Sequence, residues 1–183
     1  MRKIIVLFLI FIIKFAFSAE NEIIIDSLRI DNHEIILYDL KFSKPDSCGD
    51  ARLSSQLYIY LNAEVINVFS PDLIQVILYE RPDGTVLIKP KKILVNLAGV
   101  SLNDFNLIAE KLLNNLILNK KVELLTTQDA FEDKNKISAV IQINKIDINY
   151  TLLKNGLGSF KIYNPYELDF WSTCKYKEAC NNN

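Results

Sequence analysis

The stretch "LVNLAGVSLNDF", residues 94–105, holds the residue types and spacing best placed for chemistry in this chain. An apolar strand runs through Gly99 to Asn103 and Asp104 and on into a helical pattern. A strand-to-helix corner of this kind can hold a metal or a phosphate, because backbone N–H groups and the helix dipole converge there. Yet between Lys92 and Asp104 there is no charged side chain. The other chemically capable residues are scattered. His33 is the single histidine, with no cysteine near it in sequence, which argues against a His-based metal site or a triad. There is no Gly-rich phosphate loop and no CxxC pair. Asn149 opens the sequon "NYT", but it stands where a second helix needs its N-cap, and we assign it to the cap.

The elements that must position these residues are short and closely spaced. "EIIID", "SLRID" and "EIILYDLKF" have the composition of strands, separated by Asn, Asp and His. Residues 53–69 and "LIQVILYE" read as further strands joined by "SPD". "RPDG" is a turn, and "TVLIKPKKILVNLAGV" is a strand with a bend or an edge at Pro90. After Gly99 the period changes. Phe105, Ile108, Ala109, Leu112, Leu113 and Leu116 form one apolar helix face, with Ser101 or Asn103 as cap and Lys120 and Lys121 beyond its end. "KVELLTT" and "ISAVIQI" are two strands around the charged turn "EDKNK". "INYTLLKNGL" is a second helix stopped by Gly156 and Gly158. Tyr163, Tyr166, Phe170 and Trp171 in the tail are expected to fold back on the rest. Three strands, a helix, two strands and a helix predict an α+β fold. Its centre is a five-stranded OB-fold-like β-barrel with two or three helices, plus extra N-terminal strands.

Composition bounds the setting. "MRK", "IIVLFLIFII" and "AFSA" have the layout of a secretory signal peptide, residues 1–18, cut between Ser18 and Ala19; an uncleaved signal anchor is the alternative. Losing Arg2, Lys3 and Lys14 lowers the basic count from 21 to 18 against 22 acidic residues, a mature net charge of −4. An exported protein, periplasmic or secreted, with no membrane span after cleavage is expected. The acidic balance disfavours nucleic acid as a partner, since such binding rests on phosphate neutralisation. A protein partner remains open. Residues 19–52 read as an N-terminal β extension and 53–183 as the main domain. Cys48, Cys174 and Cys180 are an odd set, so one disulfide and one spare thiol are expected, in any pairing.

Residues 94–160 resemble the thermonuclease (staphylococcal-nuclease-like) family. "INYTLLKNGLG" is similar to that family's helix of a hydrophobic residue, Asn, two residues, Leu, and a later Gly-Leu-Ala. "DFNLIAEKLLNNLILNKKVEL" is similar to its first helix, and "DKNKISAVIQI" extends the match. The resemblance implies a calcium-dependent phosphodiesterase. Carboxylates would hold the cation, arginines the phosphate, and a carboxylate at the helix start would position the attacking water.

Carried over, the family's residues fall on a depleted set. Asn96 stands at the position of an Arg, Ser101 at a metal-binding Asp, and Asn103-Asp104 at a Pro-Glu pair. Asp72 in "SPDL" is the retained metal candidate, and Lys136 falls near the second Arg. The catalytic candidates are therefore Asp104 and Lys136, with Asp72 for a metal. Each has an ordinary role too: Asp104 as a helix-dipole partner, Asp72 as a turn residue, and Lys134 and Lys136 as a solvated hairpin end. The expected function is an exported, catalytically inactive binding or structural module with no cofactor. The alternative is a weak phosphodiesterase on DNA or RNA that uses calcium, its site completed by Asp39 or Asp46 in another register. A third reading is an envelope-associated interaction protein that uses residues 19–50 as its partner surface.

Overall fold

A computed structural model describes residues 22–40, 58–81, 84–101, 107–127 and 135–161. Residues 1–18, read above as a signal peptide, the three cysteines, Asp46, Asn103, Asp104, Lys134 and the aromatic tail lie outside these residues. The strands in chain order are β1 (Glu22–Ile30), β2 (His33–Leu40), β3 (Tyr58–Ser70), β4 (Leu73–Glu80), β5 (Val86–Leu97) and β6 (Val100–Ser101). Helix α1 (Leu107–Leu116) leads to β7 (Lys121–Thr127), β8 (Lys136–Ile143) and β9 (Ile146–Asp147). Helix α2 (Ile148–Lys154) and β10 (Ser159–Phe160) follow.

Five of these strands close on themselves. The order β5-β4-β3-β7-β8 is completed by a parallel pairing of β5 with β8, from Leu94 opposite Lys136 to Leu97 opposite Ala139. This is the closed five-stranded barrel of an OB-fold-like α+β protein, with α1 between its third and fourth strands. Closure leaves the barrel no open edge. Strand β3 makes the turn around the barrel: its first half pairs β7, its second half pairs β4, and bulges at Val65/Asn67 and Val68/Ser70 supply the bend. Alternation then decides what is inside. Val65, Ile74, Val76, Leu78, Val95, Leu97, Leu124, Ala139 and Ile141 are all fully buried.

Both helices seal the barrel. Helix α1 buries Ala109, Leu112 and Leu113 and packs on β3 and β1. Lys120 donates from Nζ to the Asn115 carbonyl at 2.7 Å, which satisfies an orphan acceptor at the helix end. Helix α2 ends in a left-handed residue, Gly156 (φ 67°). The amides of Gly156 and Leu157 bond back to the carbonyls of Leu153 and Leu152 at 3.0 and 2.9 Å, the reciprocal pattern of a Schellman cap. The expected stop at Gly156 is therefore present.

The extra N-terminal strands form a hairpin. What reads as two short strands, "EIIID" and "SLRID", is the single strand β1, with a bulge between Ile24 and Asp26 that breaks the alternation. The hairpin shares one core with the barrel through Ile30, Ile35 and Leu37. It is seated on α2. Tyr38 N donates to Thr151 Oγ1 at 3.2 Å, and the Asn155 amide bonds both the N–H and the carbonyl of Ile36, at 3.0 and 2.8 Å. The Tyr38 and Tyr150 rings meet edge to face at 5.6 Å.

Candidate functional site

The OB order places β4 and β8 on either side of β5, so three chain segments meet at one barrel end. They are the β3–β4 turn at Pro71–Asp72, the end of β5, and the start of β8. Asn96 of β5 lies between Leu73 of β4 and Ser138 of β8. The backbone is tightly bonded here. Leu97 N donates to the Asp72 carbonyl at 2.9 Å, Leu94 N to Asn135 at 2.8 Å, and Ala98 N to Ala139 at 2.9 Å. Ile93, Val95 and Leu97 point into the barrel, so half-buried Leu94 and Asn96 face outward.

The corner itself is stapled. Gly99 takes φ 74°, a conformation that lets the chain turn out of β5. Its carbonyl accepts from Lys161 N at 3.1 Å. Ser101 is not the cap of α1: it lies in β6 opposite Ser159, whose hydroxyl donates to the Ser101 carbonyl at 3.2 Å. Asn149 is not a cap either. Asp147 caps α2, accepting from Tyr150 N at 2.8 Å. Asn149, fully buried, accepts from Ile141 N at 3.0 Å and donates to Ala98 and Ala139 carbonyls at 2.9 and 3.1 Å. It ties the corner to β8 from the helix side. With its amide nitrogen so engaged and enclosed, the sequon is not presented by the folded chain.

The expected site residues sort as follows. Asp72 is half-buried at the turn and accepts a hydrogen bond from the Ser70 hydroxyl at 2.7 Å. Lys136 is exposed at the start of β8, opposite Leu94. The two share a barrel end but not a ligand position. They stand two strands apart with an offset of about three residues, which sets their Cα atoms roughly 14 Å apart. Asn96 lies between them. Among the described residues no three His, Cys, Asp or Glu side chains come together. Asp39 belongs to the hairpin strand β2 and is buried there, not on the barrel wall.

A second polar feature has no motif to announce it. On the outer face Asn62, Glu123 and Gln142 stand in register across β3, β7 and β8. With Lys121, Asn144 and Lys145 they line a half-open groove of about 360 Å³. It lies about six residues along β8 from Lys136, roughly 20 Å away. Amides, one carboxylate and two ammonium groups can hydrogen-bond a polar ligand. The lining comes from three strands, β3, β7 and β8, and from the Asn144–Lys145 turn, so the sheet register brings it together. No protein-family model matches the chain, and no curated protein matches it. The nuclease resemblance therefore rests on the motifs of residues 94–160 alone.

Proposed function

We propose that the chain is an exported, nuclease-like OB-fold protein that has lost phosphodiesterase chemistry and acts as a binding or structural module. One observation carries this reading. Asn96, the uncharged residue aligned with a phosphate-binding Arg, occupies the strand between Asp72 and Lys136, and Asp72 is the one described carboxylate at that barrel end. A hard cation needs several oxygen ligands at once, and an Asn amide cannot neutralise a phosphoryl transition state. Removing one charge-stabilising donor alone costs on the order of 10²–10³ in rate. Lys136 can attract a phosphate but lacks the bidentate fork of Arg. The staple through Asn149, by contrast, keeps the corner rigid, which suits a surface that binds.

The test is cleavage of single-stranded DNA and RNA by the chain from Ala19, with calcium or with chelator, beside Asp72→Ala and Asp104→Ala. Folded protein is expected to leave both substrates intact in every condition. Calcium-dependent cleavage that either variant abolishes would overturn the proposal and establish the weak phosphodiesterase instead.

A further inference from the structure

Only the second half of β5 lies in the barrel wall. Leu78 pairs with Lys91, and the next rung outward pairs Glu80 with Val86, so residues 87–90 form a wide bulge around Pro90. The strand beyond it projects as an arm. From Val86 to Lys92 every side chain except Leu87 is exposed. Ile88 is 100% exposed and Val86 73%, the two barest large apolar side chains among the described residues.

Cations flank them along the chain. Arg81, Lys89, Lys91 and Lys92 are all exposed, and among the described residues none of them forms an ion pair. The acids of the same stretch are Glu80 and Asp83, so residues 80–92 carry a net charge of +2 on a chain that is acidic as a whole. This combination selects among partners. A nucleic acid would use the lysines and leave Ile88 and Val86 in water. A second copy would bring a like-charged arm against this one. An anionic lipid surface takes both: apolar side chains enter the boundary of the acyl region, and long lysine stems lie along it with their ammonium groups at the phosphates.

We propose that the β4–β5 arm docks this protein peripherally on an anionic lipid surface, with Val86 and Ile88 inserted and Arg81, Lys89, Lys91 and Lys92 on lipid phosphates. No described helix is long and apolar enough to cross a membrane, and this mode of docking needs none.

The test is flotation of the chain from Ala19, which retains every described residue, with vesicles of phosphatidylcholine alone or mixed equally with phosphatidylglycerol. The protein is expected to float with the anionic vesicles only, and less as salt is raised. Val86→Ser with Ile88→Ser should weaken partitioning roughly tenfold. Lys89→Gln with Lys91→Gln and Lys92→Gln should weaken it on the order of a hundredfold. All five positions are exposed, so circular dichroism and thermal melts should match the parent. Equal flotation with neutral vesicles, or no change in either variant, would overturn the proposal. So would a lipid-free dimer that Ile88→Ser dissociates, or single-stranded oligonucleotide binding tighter than vesicle binding and indifferent to the serine pair.

Discussion

Replacing Asn149 with alanine removes three hydrogen bonds from a place water does not reach. Ile141 N–H loses its acceptor, an orphaned buried donor that costs about 1–3 kcal/mol. The Ala98 carbonyl loses a donor, while the Ala139 carbonyl keeps the amide of Ala98. Those two lost bonds add about 1 kcal/mol each. The sum is about 3–5 kcal/mol, against the roughly 5–15 kcal/mol that a folded domain usually has. With a urea slope near 2 kcal/mol/M, the unfolding midpoint should fall by about 2 M at unchanged slope. Asn149→Asp sharpens the test. It keeps the acceptor for Ile141 but aims an oxygen at two carbonyls. Burial and those carbonyls favour its neutral form, so its folded pKa rises above the unfolded value. The stability it retains is then present at acid pH and is lost as pH climbs through the folded value. The aspartate variant should recover towards acid pH, and the alanine variant should not show that recovery. A loss below about 1 kcal/mol in Asn149→Ala would refute the staple, because one orphaned buried donor alone should cost that much.

Three further outcomes are expected. Asp147→Ala removes the α2 cap and should cost about 1–2 kcal/mol by thermal denaturation, with Asp147→Asn restoring most of it. Gly156→Ala meets nothing within 4 Å, so its loss, about 1–2 kcal/mol, is backbone strain alone, and Gly156→Asn should lose less. Tyr79 donates to Glu64 Oε2 at 2.8 Å; that bond, with lesser help from desolvation and the Glu64 charge, raises its pKa above the ordinary phenol value. The contribution to stability is present below the ordinary phenol value and is lost as pH rises through the raised one. Phenolate absorbance should show Tyr79→Phe removing a late-titrating group and Glu64→Gln moving it earlier.

The sequence displays the parts whose signals are local. "LIQVILYE" is an apolar run bounded by the turns "SPD" and "RPDG", and it is β4 from end to end. The three-and-four spacing after Gly99 marks the buried face of α1, and Gly156 ends α2 because only a left-handed residue suits that turn. Pro90 falls in the bulge where β4 and β5 lose register. Long-range bonds leave no such mark. Asn149 looks like a cap because Asn favours caps, but its partners are residues 98, 139 and 141, and the cap is Asp147 two positions earlier. Ser101 looks like a cap for the same local reason, and its pairing with Ser159 lies 58 residues away. At the candidate site, the resemblance identifies Asp72 and Lys136, while their spacing across β5 follows only from the closed barrel.

The seating of the N-terminal hairpin on α2 has a consequence for the order of assembly. Its bonds to Thr151 and Asn155 span 113 and 119 residues of chain. A two-stranded hairpin alone is at best marginal in water, so β1 and β2 are synthesised early and secured late. Until the helix exists, Ile35 and Leu37 have lost one wall of their enclosure and are accessible to chaperones and proteases. The earliest described strands thus become a timer for completion: the hairpin clicks into protection only after residue 155 has been made.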